Sequence, residues 1–120
     1  MAGEIAQYVA SSKRRSRNEE LLRKERIEEA WKELKILIDD FISIDPDLRR
    51  IVLFGSLATG NVRSSQFDID LAIECTSSSY MSLVSRTLDS QFDIDLVELP
   101  RAPEYLREAI ARDGNLLYER

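Results

Sequence analysis

Residues 50–71 read RIVLFGSLATGNVRSSQFDIDL, and the fold turns on how this stretch is read. Arg50 to Phe54 is a short β-branched and aromatic run that predicts a buried strand, and Gly55-Ser56 cuts it off. Residues 57–66 are polar and contain glycine, which predicts a loop with room for one helical turn. From Phe67 to Glu74 the chain alternates strictly. Phe67, Ile69, Leu71 and Ile73 fall on one face, and Asp68, Asp70, Ala72 and Glu74 on the other. This is the pattern of a strand with an acidic face.

Upstream, Ile27, Ala30, Trp31, Leu34, Ile38 and Phe41 recur at three- and four-residue steps and line one face of a helix that Asp45-Pro46 ends. Ser16 and Glu19 have the form of a capping box at its start; the alternative is one long helix beginning before Ser16. Downstream, Tyr80, Met81, Val84 and Leu88 give residues 79–90 an inward helical face, and Phe92 to Leu99 alternates as another strand. Pro103 suits a first helical turn, Leu106 and Ile110 point inward, Gly114 closes that helix, and Leu116 to Glu119 makes a short last strand. The expected order is α, β, β, α, β, α and a final β, an α/β (α+β) arrangement.

The composition belongs to one ordinary globular domain: 120 residues, 43% hydrophobic and 32% charged, with four Gly and three Pro. No apolar run approaches the ~20 residues of a membrane helix, so the expected location is the cytoplasm, with no membrane partner. One cysteine, Cys75, excludes an internal disulfide and is most simply a packing residue. With no histidine there is no Cys/His zinc set and no His-based acid/base chemistry, so catalysis must run on carboxylates, lysines or bound metal. The net charge of −5 is uneven: residues 1–35 carry nine Lys/Arg against seven Asp/Glu, and the remainder eight against fifteen. Such an acidic body is a poor nucleic-acid binder but concentrates divalent cations. Lys13, Arg14, Arg15 and Arg17 mark residues 1–18 as a basic N-terminal extension ahead of a domain over 19–120.

The hexapeptide Gln-Phe-Asp-Ile-Asp-Leu occurs at 66–71 and again at 91–96. It places Asp68 and Asp70 on one face of one strand, and Asp93 and Asp95 on one face of another, so that two carboxylate pairs confront each other. Asp is a poor strand former, and confronting carboxylates resist burial unless a cation intervenes. Taken alone, such residues are more simply the wet face of a half-buried strand, or guards of a sheet edge. Phe54-Gly55-Ser56 shifts the reading toward chemistry. A glycine straight after an apolar strand lets backbone N–H groups approach phosphate oxygens, and the serine hydroxyl adds a donor. Carboxylates from neighbouring strands are what a hard ion such as Mg²⁺ requires. Arg63, between cradle and carboxylates, is a candidate partner for a phosphate.

Phe54-Gly55-Ser56, an eleven-residue gap from Ser56 to the first aspartate of Phe67-Asp68-Ile69-Asp70-Leu71, and a later hydrophobic-Asp-hydrophobic strand together resemble the DNA polymerase β-like nucleotidyltransferase superfamily, whose small members are the minimal nucleotidyltransferases. The similarity covers about residues 20 to 119. It implies a palm of three to four strands in a small mixed sheet packed against helices. Gly55 and Ser56 would bind a nucleoside triphosphate, and Asp68, Asp70 and Asp95 would be the catalytic carboxylates and hold two Mg²⁺ ions. Asp95 matches the third position better than Asp93, because Leu96-Val97 follows it. The implied chemistry is two-metal nucleotidyl transfer, with one ion activating a hydroxyl and the other stabilising the α-phosphorus and leaving pyrophosphate. The sequence departs from the family where the gap is one residue longer than usual and where Phe67 replaces a serine.

A chain of this length is expected to leave no room for an acceptor domain. It is therefore similar to the antitoxin halves of two-gene toxin–antitoxin modules, in which such a domain pairs with a helical HEPN-type ribonuclease and attaches AMP from ATP to it. The expected partners are ATP and a HEPN-type protein, with self-association through the N-terminal segment a further possibility. A second reading is a non-catalytic module that neutralises its partner by occlusion.

Overall fold

The structure is a computed structural model and describes residues 2–120. Its elements are α1 (Ala2–Ile44), β1 (Arg50–Phe54), α2 (Gly55–Thr59), β2 (Ile69–Glu74), α3 (Tyr80–Thr87), β3 (Ile94–Glu98), α4 (Glu104–Asp113) and β4 (Asn115–Glu119). Short 3-10 turns precede α3 and follow β3. The strands form one mixed sheet in the order β3-β2-β1-β4: β1 is antiparallel to both β2 and β4, and β2 is parallel to β3. A parallel pair needs a crossover, and α3 supplies it.

Alternation along the strands gives the sheet two apolar faces. Ile51, Leu53, Ile69, Leu71 and Ile73 point to the face covered by α1 and α3, where Ala30, Leu34, Leu37, Phe41 and Leu83 complete the main core. Val52 and Ala72 point the other way, against Ile110 of α4. Asp45 is buried just past α1, and its carboxylate accepts hydrogen bonds from the Thr76 N–H at 2.8 Å and hydroxyl at 3.0 Å, tying the helix end to the end of β2.

Several expectations shift. Helix α1 runs unbroken through Ser16, so the capping box does not form; the Glu19 carboxylate accepts instead from the Ser65 N–H at 3.1 Å. The strands are shorter than their alternation because the β1 ladder reaches only to Phe54 opposite Asp70; Phe67 and Asp68 approach β2 from outside it, and β3 starts at Ile94. On α3 the inward face is Leu83 and Thr87, while Met81 and Leu88 are 70% and 79% exposed. Gly114 does end α4, with extended backbone, and a Cβ there would strike the Ile110 carbonyl and lie 2.7 Å from Val52 Cγ1. Among the described residues no helix is long and apolar enough to cross a membrane.

Candidate functional site

Strand β1 delivers Gly55 to the sheet end with φ +77°, a left-handed conformation that side chains other than glycine rarely accept. The turn is tight because the next strand is adjacent: a Cβ at residue 55 would overlap Asp70 Oδ2. Glycine is thus what lets the candidate phosphate cradle touch the candidate metal ligand. Ser56 follows in the first turn of α2, half-buried.

Asp70 is the carboxylate that the fold fixes most firmly. It pairs across to Phe54 on one side and to Asp95 on the other. Burial pushes its carboxyl up to about 6, and Asp95, within hydrogen-bonding reach, and then Asp68 push in the same direction. Asp95 and Asp68 are exposed at the same sheet end. The register explains the meeting, since the two copies of the hexapeptide lie side by side in step, Ile69 against Ile94 and Asp70 against Asp95. Carried one step outward, that register sets Asp93 beside Asp68, and the Ile69 N–H donates to the Asp93 carbonyl at 2.9 Å.

These residues do not form a closed cage. Among the described residues no three His, Cys, Asp or Glu side chains are drawn together tightly enough to enclose an ion. They form an open donor set of one fixed carboxyl and two exposed ones, all oxygen. That suits Mg²⁺, which keeps several waters and takes few protein ligands, and a cation there would offset the repulsion that raises Asp70. The residues present fit the ion.

Arg63 lies apart. It is exposed in the loop before β2, and its side chain makes neither hydrogen bond nor ion pair with a described residue. The loop itself is held by α1: besides the Glu19 contact, the Arg23 guanidinium donates to the Val62 carbonyl at 3.4 Å. Arg26 stands 4.1 Å above the Phe92 ring, which lies 5.9 Å from that of Phe67. These clamps join residues from 39 to 66 positions apart and have no local pattern that could announce them; the repeated hexapeptide is the one readable sign that residues 66–71 and 91–96 belong together.

Two cavities flank the acidic row. One of about 750 Å³ lies between α1 and the approaches to β2 and β3, with Leu22, Arg26, Phe67 and Phe92 among its walls. The other, of about 400 Å³, opens beside β3 and is lined by Asp68, Asp93, Asp95 and Leu88 among others.

A glycine turn packed against Asp70, with Asp68 and Asp95 exposed at the same open end of a mixed sheet, fits the palm of a nucleotidyltransferase domain. Residues 35–120 match the sequence model of the polymerase beta nucleotidyltransferase family, and the chain belongs to that family. It is 32% identical over 89 residues to the protein adenylyltransferase MntA of Aphanizomenon flos-aquae (strain 2012/KM1/D3), an alignment covering 62% of this chain and 59% of that protein. The chain thus spans well under two thirds of its curated relative. Among solved structures it resembles a toxin–antitoxin complex with AMP-PNP, at 26% identity and TM-score 0.57 over 70% of this chain and 72% of that one. A mutant form of the toxin–antitoxin MntA-HpeT is 28% identical, with TM-score 0.55 over 74% and 72%. A Sulfolobus solfataricus protein, 22% identical with TM-score 0.59 over 82% of this chain and 88% of that one, shares the fold.

Proposed function

We propose that this chain is a Mg²⁺-dependent nucleotidyltransferase that moves AMP from ATP onto a hydroxyl of a partner protein, as the antitoxin to a HEPN-type ribonuclease. The observation that carries the reading is the contact of Gly55 with Asp70, itself paired with Asp95. It joins a place for phosphate oxygens to a place for a hard cation. Similarity to a protein adenylyltransferase and to toxin–antitoxin complexes supports the choice of AMP and of a protein acceptor. Residues 19–120 act as the transferase unit, and the helical segment before them is an appendage.

In this reading Gly55 and Ser56 hold the triphosphate through backbone N–H groups and a hydroxyl, and Asp68, Asp70 and Asp95 hold the metal. Bound there, Mg²⁺ neutralises charge on the phosphates and lowers the pKa of an approaching hydroxyl. Asp70, fixed by the sheet, orients the α-phosphate side of the site. The acceptor oxygen bonds to the α-phosphorus, the bond from that phosphorus to the β-bridging oxygen breaks, and pyrophosphate leaves with the electron pair. Asp95, exposed beside the entering group, takes the hydroxyl proton.

Intact-mass spectrometry tests it. The full chain, incubated with ATP, Mg²⁺ and the helical protein encoded beside it, should add ~329 Da per AMP to that partner. A partner neutralised in a stable complex without gaining mass would assign the chain to occlusion instead.

A further inference from the structure

The outer side of α3 carries residues that the fold does not use. Met81 and Leu88, the latter the residue that caps the helix and keeps its backbone conformation, lie seven positions apart on one stripe, and both stand in solvent. Thr87 is buried in the position beside them, its hydroxyl donating to the Val84 carbonyl at 2.6 Å. A core threonine next to an exposed leucine is the reverse of what packing alone selects. The leucine has a place, however: it walls the 400 Å³ cavity that also holds Asp68, Asp93 and Asp95. Strand β3 is a sheet edge, so among the described residues no further strand shields that cavity.

Chemistry sets the direction from which a partner must arrive. In nucleotidyl transfer the entering oxygen and the leaving pyrophosphate are roughly in line on opposite sides of the phosphorus. Gly55 meets Asp70 from the β1 side, and Asp95 meets it from the β3 side. Pyrophosphate held at Gly55 and Ser56 therefore leaves entry over β3 to the acceptor. Charge narrows the partner's character. Between Thr87 and Pro100 the chain has Asp89, Asp93, Asp95 and Glu98 but neither Lys nor Arg.

We infer that the Met81–Leu88 stripe of α3, together with the cavity at Asp95, is the docking surface for the acceptor protein. Its acceptor segment presents apolar side chains to Met81 and Leu88 and a Lys or Arg to Asp89 and Asp93, flanking the hydroxyl that receives the nucleotide. This rests on the transferase reading above.

The test uses the full chain with Mg²⁺, ATP and the same helical partner, in wild type, Leu88→Asp, Met81→Asp and, at the opposite sheet edge, Leu116→Asp. All three side chains are exposed, so the fold should survive each change. At subsaturating partner, Leu88→Asp and Met81→Asp should slow transfer about tenfold or more, as loss of an apolar anchor does. Thermal stabilisation by Mg²⁺ and ATP should be unchanged in Met81→Asp, which lies outside the cavity at Asp95, and Leu116→Asp should behave as wild type. Wild-type transfer by both α3 variants would overturn the docking surface and leave the transferase reading standing. If the wild-type chain transfers nothing, that reading falls, and the surface falls with it unless Leu88→Asp dissolves the complex with the partner.

Discussion

Residues 66–71 and 91–96 are the same six amino acids set side by side in register, and they do different things. The first copy sits on the inner strand β2, where Ile69 and Leu71 are 0% and 1% exposed and Asp70 is half-buried with its carboxyl raised. The second sits on the edge strand β3, where Ile94 and Leu96 are only half-buried and Asp95 is exposed. Only the phenylalanines invert the order: Phe92, under Arg26, is the more buried of the two. Position in the sheet, not sequence, thus makes one carboxyl a fixed element and its twin an accessible one. The proposed transfer, which holds a phosphate still while admitting an acceptor, would use one of each.

The largest effects should come where the two copies meet. Gly55→Ala forces a Cβ into the Asp70 carboxylate, and both Asp70→Asn and Asp95→Asn remove a proposed ligand. Each should lower AMP transfer by ~100-fold or more, measured as initial rates by intact mass, with the circular dichroism spectrum retained. Asp93→Asn, two residues outside the Asp70–Asp95 pair, should cost a few-fold through weaker docking. A dead Asp93→Asn beside an active Asp95→Asn would show that the pairing seen in the register is not the one chemistry uses.

Stability should separate the copies next. Ile69→Ala opens a cavity in a closed core and should cost about 3 kcal/mol, whereas Ile94→Ala at the half-covered edge should cost about 1 kcal/mol. Urea unfolding reads both. Equal costs would mean that the β3 edge is covered in solution, by a second copy or another chain.

Most of the palm was legible because its signals are local. The run Ile51 to Phe54, the alternation around Asp70 and the Gly55-Ser56 turn are each dictated by neighbours in sequence, and all three elements form there. On α3, Tyr80 packs against the core as its spacing suggests, but Met81 and Leu88 do not, because which of two adjacent residues points inward depends on the helix phase set by the sheet. The grip of α1 on the loop, through Glu19 and Arg23, was invisible because it joins residues that only the tertiary structure brings together. The repeat showed that two acidic strands exist, but not that a parallel crossover would put them in step.

The smallest effect is electrostatic and tests whether Asp70 differs from its twin by environment. Unfolded, its carboxyl titrates near the ordinary 3.8; folded, it is raised to about 6 by burial first and by Asp95 and Asp68 after it. A carboxyl that holds its proton more tightly in the fold contributes stability below the unfolded value and loses it as pH climbs through about 6. With a chelator present, the wild type should therefore lose ground to Asp70→Asn between pH 4 and pH 7. The full shift of about two units corresponds to ~3 kcal/mol, and solvent screening of a half-exposed group reduces this to about 1 kcal/mol. Urea midpoints of the two proteins should coincide near pH 4 and diverge in favour of Asp70→Asn by pH 7. Mg²⁺ should then close the gap by stabilising the wild type alone. A difference that stays flat from pH 4 to pH 8 would mean that Asp70 ionises as freely as an exposed carboxyl, and that the two copies of the hexapeptide differ in packing but not in charge.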